Sequence, residues 1–343
     1  MNETVIGIGP AEVADVLPPT FLWMMYEWGI EFIRVIQRIE TPALTALMKF
    51  ITAFGTEVVY APLILFMLWW VDEKRGLRFG VLMILSMWIN LFMKDILRQP
   101  RPFNLEPSLG MITMSGYGAP SGHAQLAMCF WIPVAAWLEK VWPKRRTVIW
   151  AAAVSFIVLI SFTRLYLGVH FPTDLFAGWI LAGIILFIFF MLGPHIERLL
   201  TSGGIRAQNI TAAGIALIMN GLFPQERAIP ALFLGFCLGY TMMKQRFPFS
   251  AREEINGSKP GVQAMFFRCL TGLASTAALF LALRFIFPGE ESLFRDIPVW
   301  GAASPFYDLG RFVRYGVLGF WASAGVPRLF QRMGLAQGEP TED

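Results

Sequence analysis

Residues 147–193, TVIWAAAVSFIVLISFTRLYLGVHFPTDLFAGWILAGIILFIFFMLG, indicate the fold class of this chain. Two mostly apolar runs, 147–165 and 171–193, are separated by a few residues that include His170. Each run has close to the roughly 20 residues that an α-helix needs to cross the hydrocarbon core of a bilayer. The stretch therefore predicts two membrane helices joined by a short connection.

The whole chain has the composition of a membrane protein. Of its 343 residues, 56% are hydrophobic and 15% are charged, and the mean hydropathy is +0.56. A soluble domain is about 45–50% apolar and about 25% charged, so soluble, disordered and collagen-like chains are excluded. Cys129, Cys237 and Cys269 lie inside apolar runs and indicate no disulfide scaffold. The net charge of +4 comes from short basic clusters between apolar segments, which is typical of membrane topology rather than nucleic-acid binding.

Apolar segments of this kind recur along the chain, and we predict an all-α, polytopic membrane fold. The candidate membrane helices are 57–71, 77–97, 123–142, 147–165, 171–193, 208–223, 229–243, 263–287 and 309–327. Gly235 and Gly239 form a Gly-x-x-x-Gly pair, which is typical of close helix packing. We expect this pair to pack within the chain rather than between two copies.

Residues 20–55 allow two interpretations. Four charged residues share one helical stripe: Glu27, Glu31, Arg34 and Arg38. The apolar residues away from that stripe are Trp28, Phe32, Val35 and Ile39. The pattern suits a helix that lies in the membrane interface, and equally a spanning helix whose polar face is covered by neighbours. Thr41-Pro42 is typical of an N-cap followed by proline at the first helical position, and Gly55 is expected to end that second helix.

Basic residues indicate the orientation of the chain because they concentrate in alternate loops. These residues are Lys74, Arg75, Arg78, Lys140, Lys144, Arg145, Arg146, Arg198, Arg206, Lys244, Arg246, Arg252, Lys259, Arg328 and Arg332. Short cytoplasmic loops are enriched in Lys and Arg, so we expect these loops in the cytoplasm. The loops 94–122 and 164–170 then face the extracytoplasmic side. The absence of long soluble domains suits a bacterial inner (plasma) membrane, and the alternative is the membrane of the endoplasmic reticulum.

Three short segments on that outer side carry polar groups that are costly near a membrane. They are 94–102 (KDILRQPRP), 119–123 (APSGH) and 163–174 (TRLYLGVHFPTD), and they hold two of the three histidines. Ionisable residues at membrane depth are candidates for function by default. Because all three segments are predicted on one side, we expect them to converge.

The cations and the glycine turn in these segments suit a phosphate group. Lys94, Arg101 and Arg164 supply positive charge, and arginine binds phosphate oxygens through two parallel N–H groups. Ser121 and Gly122 open a predicted helix, whose free N–H groups favour an anion.

The remaining polar residues suit covalent phosphoryl transfer. His170 and His123 can serve as nucleophile and general acid. Asp174 follows His170 by one helical turn and can hold its imidazole in one tautomer.

The order and spacing of these residues resemble the three signatures of the type 2 phosphatidic acid phosphatase family. Lys94 precedes Arg101-Pro102 by six intervening residues, and Pro120-Ser121-Gly122-His123 follows. In the third signature five residues stand between Arg164 and His170, and three residues stand between His170 and Asp174. That signature usually opens Ser-Arg, whereas this chain has Thr163-Arg164, which keeps a hydroxyl group.

The resemblance implies a role for each residue. His170 would form a phosphohistidine, and His123 would protonate the leaving group and then assist the attacking water. Asp174 would hold the imidazole of His170. The phosphoryl oxygens would be bound by Lys94, Arg101, Ser121, Gly122 and Arg164, with no metal ion and no cofactor.

The resemblance also implies a domain organisation. Residues 57–193 would be a phosphatase core, counted with the N-terminal helices as six helices, and residues 1–56 would be N-terminal amphipathic or membrane helices. Residues 194–343 would add an extension of about four transmembrane helices, as in larger family members.

We therefore expect a membrane phosphatase that acts on an isoprenoid diphosphate, phosphatidic acid or a sphingoid-base phosphate. The alternatives are a lipid phosphotransferase that uses the same phosphohistidine, and a non-catalytic protein that binds or transports lipid phosphates. The expected partners are the lipid substrate and the bilayer but no nucleic acid, and the sequence allows a homo-oligomer.

Overall fold

The computed structural model describes residues 21–252, 261–287, 304 and 306–337. Every regular element in these ranges is helical. The prediction of an all-α fold is confirmed. The first 20 residues of the predicted N-terminal segment, and parts of the predicted C-terminal extension, lie outside the described residues.

The α-helices follow one another with short connections. They are α1 (Phe21–Gln37), α2 (Pro42–Ala53), α3 (Glu57–Phe66), α4 (Glu73–Leu97), α5 (Pro102–Leu105), α6 (Gly122–Val141), α7 (Arg146–Tyr166), α8 (Pro172–Met191), α9 (Gly193–Ser202), α10 (Gly204–Leu222), α11 (Ala228–Arg246), α12 (Val262–Ile286), α13 (Tyr307–Phe320) and α14 (Val326–Arg332). Wider π-helical turns continue α3 over Met67–Val71 and join α13 to α14 over Trp321–Gly325.

Several helices are long and apolar enough to cross a membrane. By length and composition these are Glu73–Leu105, Pro143–Tyr166, Pro172–Met191 and Val262–Ile286. Pro42–Ala53 and Glu57–Val71 would form a further span if the pair is counted as one helix bent by 45°. The larger number of spans predicted from sequence stays a prediction.

The N-terminal helices have the predicted boundary at Thr41. Its hydroxyl accepts a hydrogen bond from the backbone N of Leu44 at 3.2 Å, and Pro42 is the first residue of α2. The buried residues of α1 are Tyr26, Gly29 and Ile33, and they belong neither to the charged stripe nor to the apolar set named above. The charged stripe and the apolar residues beside it both stay exposed. The two interpretations of α1, a helix that lies in the membrane interface and a helix that crosses the membrane, both stay predictions.

Contacts divide the chain into two compact units. Within the described residues, the first unit takes 21–60 and 89–191, and the second takes 61–88 and 192 onward. In the first unit α6 packs against α7 and α8, while α1 and α2 pack on α7. This unit contains all the predicted site residues. The linear division of the chain at residues 56 and 193 stays a prediction.

The second unit is held by close contacts between small residues. A Cβ built on Gly235 would lie 1.9 Å from the carbonyl oxygen of Gly316, and one on Gly239 would lie 2.2 Å from Oγ of Ser323. Only glycine lets these backbones approach so closely. The prediction that the Gly-x-x-x-Gly pair packs within the chain is confirmed.

Candidate active site

The three signatures lie at the ends of helices in the first unit. Lys94 is in the last turn of α4, Arg101 caps α5, and Ser121 and His123 open α6. Arg164 is in the last turn of α7, Asp174 is in the first turn of α8, and His170 lies between those two helices. The ends of the helices thereby hold the short polar segments of the three signatures.

His170 and Asp174 form the buried centre of the site. Nδ1 of His170 lies 3.1 Å from Oδ2 of Asp174, and each residue is only 2% exposed. The same carboxylate oxygen accepts a hydrogen bond from the backbone N of Phe171 at 3.0 Å. The main-chain oxygen of Asp174 accepts one from the backbone N of Ser121 at 2.9 Å. The first turn of α8 thus joins the second and third signatures.

Arg101 contacts the other side of the imidazole. Its Nη1 lies 3.3 Å from Nε2 of His170 and donates to the carbonyl of Val169 at 3.0 Å. Its Nε and Nη2 donate to the carbonyls of Gly116 and Ser115. With Asp174 on Nδ1, the imidazole carries its proton there and turns the lone pair of Nε2 toward Arg101.

Lys94 and Arg164 complete the set of cations. Nζ of Lys94 donates to the carbonyls of Tyr117 and Gly118 at 2.9 and 2.7 Å. Nη1 of Arg164 donates to Oγ1 of Thr52 at 2.6 Å. Nη2 donates to Sδ of Met114, whereas Nε is buried and has no hydrogen-bond partner among the residues that the structure describes.

The turn before α6 contains a second unpartnered donor. Oγ of Ser121 is buried and makes no hydrogen bond within the described part of the chain. A buried polar group without a partner is costly, and a hydroxyl in this position can bind an incoming oxygen. Ser121 and Arg164 therefore each have one buried donor without a partner among the described residues.

Two parts of the site were missed by the sequence analysis. The segment 115–118 supplies carbonyl oxygens to Arg101 and Lys94. Asn90 in α4 is buried, and its Nδ2 donates to the carbonyl of Pro120 at 3.2 Å and to Oε1 of Gln125 at 2.7 Å. Polar residues inside apolar runs were the available signal for Asn90 and Gln125, because such residues are costly at membrane depth.

His123 stands apart from the hydrogen-bonded cluster. Within the described part of the chain it makes no hydrogen bond to the other site residues, and its ring packs beside Gly55. No group of three or more His, Cys, Asp or Glu side chains among the described residues is arranged to hold a metal ion.

Burial and neighbouring charge determine the protonation state of His170. Its complete burial, and then the positive charges of Arg101, Lys94 and Arg164, lower its pKa well below the usual range. The imidazole therefore stays neutral at physiological pH, which is the state a nucleophile needs.

Family models and known proteins are similar in sequence to this chain. Residues 75–196 match the family model described as "PAP2 superfamily", and residues 228–338 match "PAP2 superfamily phosphatase, transmembrane extension". Phosphatidylglycerophosphatase B of Bacillus subtilis is 31% identical over 168 residues, which cover 47% of this chain and 79% of that protein. The chain belongs to the PAP2 superfamily. The predicted family is thereby confirmed, and with it the prediction of an integral-membrane phosphatase.

Other PAP2 relatives differ in length from this chain. Undecaprenyl-diphosphatase of Sulfolobus acidocaldarius is 29% identical over 172 residues, which cover 47% of this chain and 76% of that protein. Sphingosine-1-phosphate phosphatase 2 of Mus musculus is 31% identical over 143 residues, which cover 41% of this chain and 40% of the mouse protein. The PAP2 match contains all three signatures, and the match to the transmembrane extension lies within residues 194–343.

Proposed function

We propose that this PAP2 protein hydrolyses a lipid phosphate or diphosphate through a phosphohistidine on His170. The observation that carries the proposal is the contact of His170 with Asp174 on one nitrogen and Arg101 on the other. A neutral imidazole held in one tautomer has a lone pair on Nε2, and that lone pair is the nucleophile. We place the reaction at the extracytoplasmic face of a bacterial inner membrane, as the distribution of basic residues predicts.

The first step transfers the phosphoryl group to the protein. The lone pair of His170 Nε2 forms a bond to phosphorus while the bond from phosphorus to the leaving oxygen breaks. His123 donates a proton to that oxygen, so an alcohol or a phosphate leaves. The imidazole of His170 becomes cationic, and the carboxylate of Asp174 stabilises that charge.

The second step returns the protein to its starting state. His123, now neutral, accepts a proton from a water molecule whose oxygen bonds to phosphorus. The bond between Nε2 of His170 and phosphorus breaks, and inorganic phosphate leaves. The imidazole regains its lone pair, and one water molecule has been consumed.

The phosphoryl oxygens would be bound by N–H and O–H donors that make no other hydrogen bond within the described residues, or that exchange one for the substrate. The hydroxyl of Ser121 and Nε of Arg164 have no partner now, and the ammonium of Lys94 has a third N–H beyond its two carbonyl contacts. Fixed donors at the positions where charge develops are worth about 2.7–4 kcal/mol each in barrier height, by comparison with an oxyanion hole.

The substrate is proposed to be an amphiphile. The relatives named above act on an undecaprenyl diphosphate, a phosphatidylglycerophosphate and a sphingosine 1-phosphate according to their names. The site lies at the ends of apolar helices, where a lipid can present its phosphate while its chains stay in the bilayer. We therefore propose an isoprenoid diphosphate, a glycerolipid phosphate or a sphingoid-base phosphate.

Phosphate release by the purified protein in detergent, with EDTA present, tests the proposal. The substrates are undecaprenyl diphosphate, phosphatidic acid, sphingosine 1-phosphate and, as a soluble ester, glucose 6-phosphate. The variants are His170→Ala and the control His195→Ala, which removes the third histidine, located in α9. We expect His170→Ala to abolish phosphate release and His195→Ala to retain it. Release that survives in His170→Ala would exclude His170 as the nucleophile.

A further inference from the structure

We propose that the end of α2 and the turn that follows it, residues 52–55, position His123 and Arg164 for the reaction. This turn lies outside the three signatures, and it touches a member of two of them. The inference rests on the proposed function, because it assigns the turn a part in phosphate binding and in proton donation. Thr52 and Gly55 would be positioning residues that act through their neighbours.

Thr52 fixes the guanidinium of Arg164. Its Oγ1 accepts the hydrogen bond from Nη1 at 2.6 Å, and Arg164 is 1% exposed. A buried arginine without an acceptor would retain the full cost of losing its water. The threonine hydroxyl is a neutral acceptor for Nη1, and Sδ of Met114 is a neutral acceptor for Nη2, so the positive charge stays available for phosphate. Nε of Arg164 has no hydrogen-bond partner among the described residues, so it can donate to a phosphoryl oxygen.

Gly55 leaves the space that the ring of His123 occupies. A Cβ on Gly55 would lie 2.6 Å from Cδ2 of His123 and 2.8 Å from Cγ2 of Ile160. Carbon atoms do not approach so closely, so any larger residue would displace the imidazole or α7. His123 has no hydrogen bond to the other site residues in the described chain, so the packing of its ring is what determines its position.

The turn itself is held rigid. The backbone N of Gly55 donates to the carbonyl of Thr52 at 2.9 Å, which ties the two residues together. Phe54 between them packs edge-on against Phe156 of α7, with ring centroids 5.8 Å apart. Because α7 also ends in Arg164, one packed unit places both the general acid and a phosphate-binding cation.

The contribution of Thr52 is tested with orthovanadate, an analogue of the pentacoordinate phosphoryl group. Its affinity is obtained from the dose dependence of thermal stabilisation, which needs no turnover. Thr52→Val keeps the shape and loses the acceptor, and it should weaken vanadate binding about tenfold. Thr52→Ser keeps the hydroxyl and should stay within about twofold of wild type. Equal affinity in Thr52→Val and wild type would overturn the assignment of Thr52.

The contribution of Gly55 is tested by comparing two substrates whose leaving groups differ in their need for a proton. A general acid matters for an alkyl alcohol and little for p-nitrophenolate, which leaves without a proton. We compare kcat/KM for dodecyl phosphate and p-nitrophenyl phosphate, because this constant reports the steps up to loss of the leaving group. Gly55→Ala should lower the value for dodecyl phosphate by about 10–100-fold and leave p-nitrophenyl phosphate nearly unchanged.

A matched control separates positioning from general damage. Gly183 in α8 has no heavy atom within 4 Å of a built Cβ, so Gly183→Ala should leave both substrates unchanged. Equal losses on both substrates in Gly55→Ala, or no loss on either, would overturn the positioning of His123. Failure of wild type to release phosphate from either ester would overturn the proposed function instead, while the vanadate series would still test Thr52.

Discussion

Oδ2 of Asp174 accepts hydrogen bonds from Nδ1 of His170 at 3.1 Å and from the backbone N of Phe171 at 3.0 Å. One carboxylate oxygen therefore fixes the imidazole and the main chain next to it. The carboxylate cannot move toward the solvent without breaking the main-chain contact. The tautomer of His170 is consequently determined by a rigid helix terminus rather than by a mobile side chain.

Asp174→Asn should show how much that tautomer matters. An amide can donate to Nδ1 of His170 and so shift the imidazole proton to Nε2, which removes the nucleophilic lone pair. We expect kcat to fall by about 10⁴, the loss that the same change causes in a serine-protease triad. Phosphate release and vanadate affinity measured together should both fall, because pentacoordinate vanadate needs the same lone pair on Nε2 of His170 that the reaction uses. Asp95→Asn, which alters an exposed ion pair with Arg98, serves as the control, and similar kcat values in the two variants would contradict the assigned role.

Arg101→Lys should be far from conservative. The guanidinium reaches four acceptors at once: Nε2 of His170 and the carbonyls of Val169, Ser115 and Gly116. A lysine ammonium keeps the charge but cannot span that set. We expect kcat/KM to fall by about 100-fold, because small displacements of reacting groups cost that much. Arg98→Lys in the same loop, where the side chain is exposed, should keep wild-type kcat/KM; a match between the two variants would contradict the argument.

Much of the fold could be predicted because membrane helices are coded by composition. The segments predicted at 147–165 and 171–193 agree with Arg146–Tyr166 and Pro172–Met191 to within two residues. The cap at Thr41 was also predictable, since a hydroxyl followed by proline has a local physical cause. The ten-residue helix Gly193–Ser202 was missed, because it is short and polar and carries no apolar run.

The contacts within the site could be predicted only in part. The pairing of His170 with Asp174 was predicted from their spacing of four residues, taken as one helical turn. The residues do meet, but His170 precedes the first residue of α8, so the contact joins the loop to the first turn of the helix. The contact between Thr52 and Arg164 joins residues far apart in the chain, and nothing local in either segment indicates it. The same holds for the carbonyl oxygens of 115–118, since any residue type supplies a carbonyl group and only the path of the backbone places it.

The dependence of activity on pH should follow the lowered pKa of His170. Burial and the charges of Arg101, Lys94 and Arg164 disfavour the imidazolium, so the neutral nucleophile persists below the ordinary histidine pKa of about 6.5. The acid limb of kcat/KM should therefore lie below that value. In the unfolded chain this histidine takes up a proton near its ordinary pKa, whereas in the folded protein it does not. Neutral His170 therefore makes its full contribution to the free energy of unfolding above the pKa that it has in the unfolded chain. That contribution decreases as pH falls toward the pKa that it has in the folded protein.

Two measurements check this pH behaviour. The acid side of the kcat/KM profile, followed down to about pH 4.5 so that it passes the histidine value of about 6.5, should show no acid-induced loss until pH is below that value. Thermal unfolding over the same range should show a smaller acid-induced decrease of Tm in His170→Gln than in wild type. An acid limb centred at or above the ordinary histidine pKa would contradict the argument.

Gly178→Ala should disturb the catalytic turn from the helix that packs beneath it. A Cβ on Gly178 would lie 2.7 Å from the carbonyl oxygen of Ser121, and a backbone atom cannot move aside as a flexible side chain does. Such overpacking costs about 1–3 kcal/mol. Any relief of the clash shifts the peptide that connects Ser121 to Gly122, so Tm and kcat/KM should fall together. Gly183→Ala lies on the same helix in open space and should leave Tm and kcat/KM unchanged. If Gly178→Ala kept wild-type Tm and turnover, the close approach of α8 to the catalytic turn would have no part in holding the site.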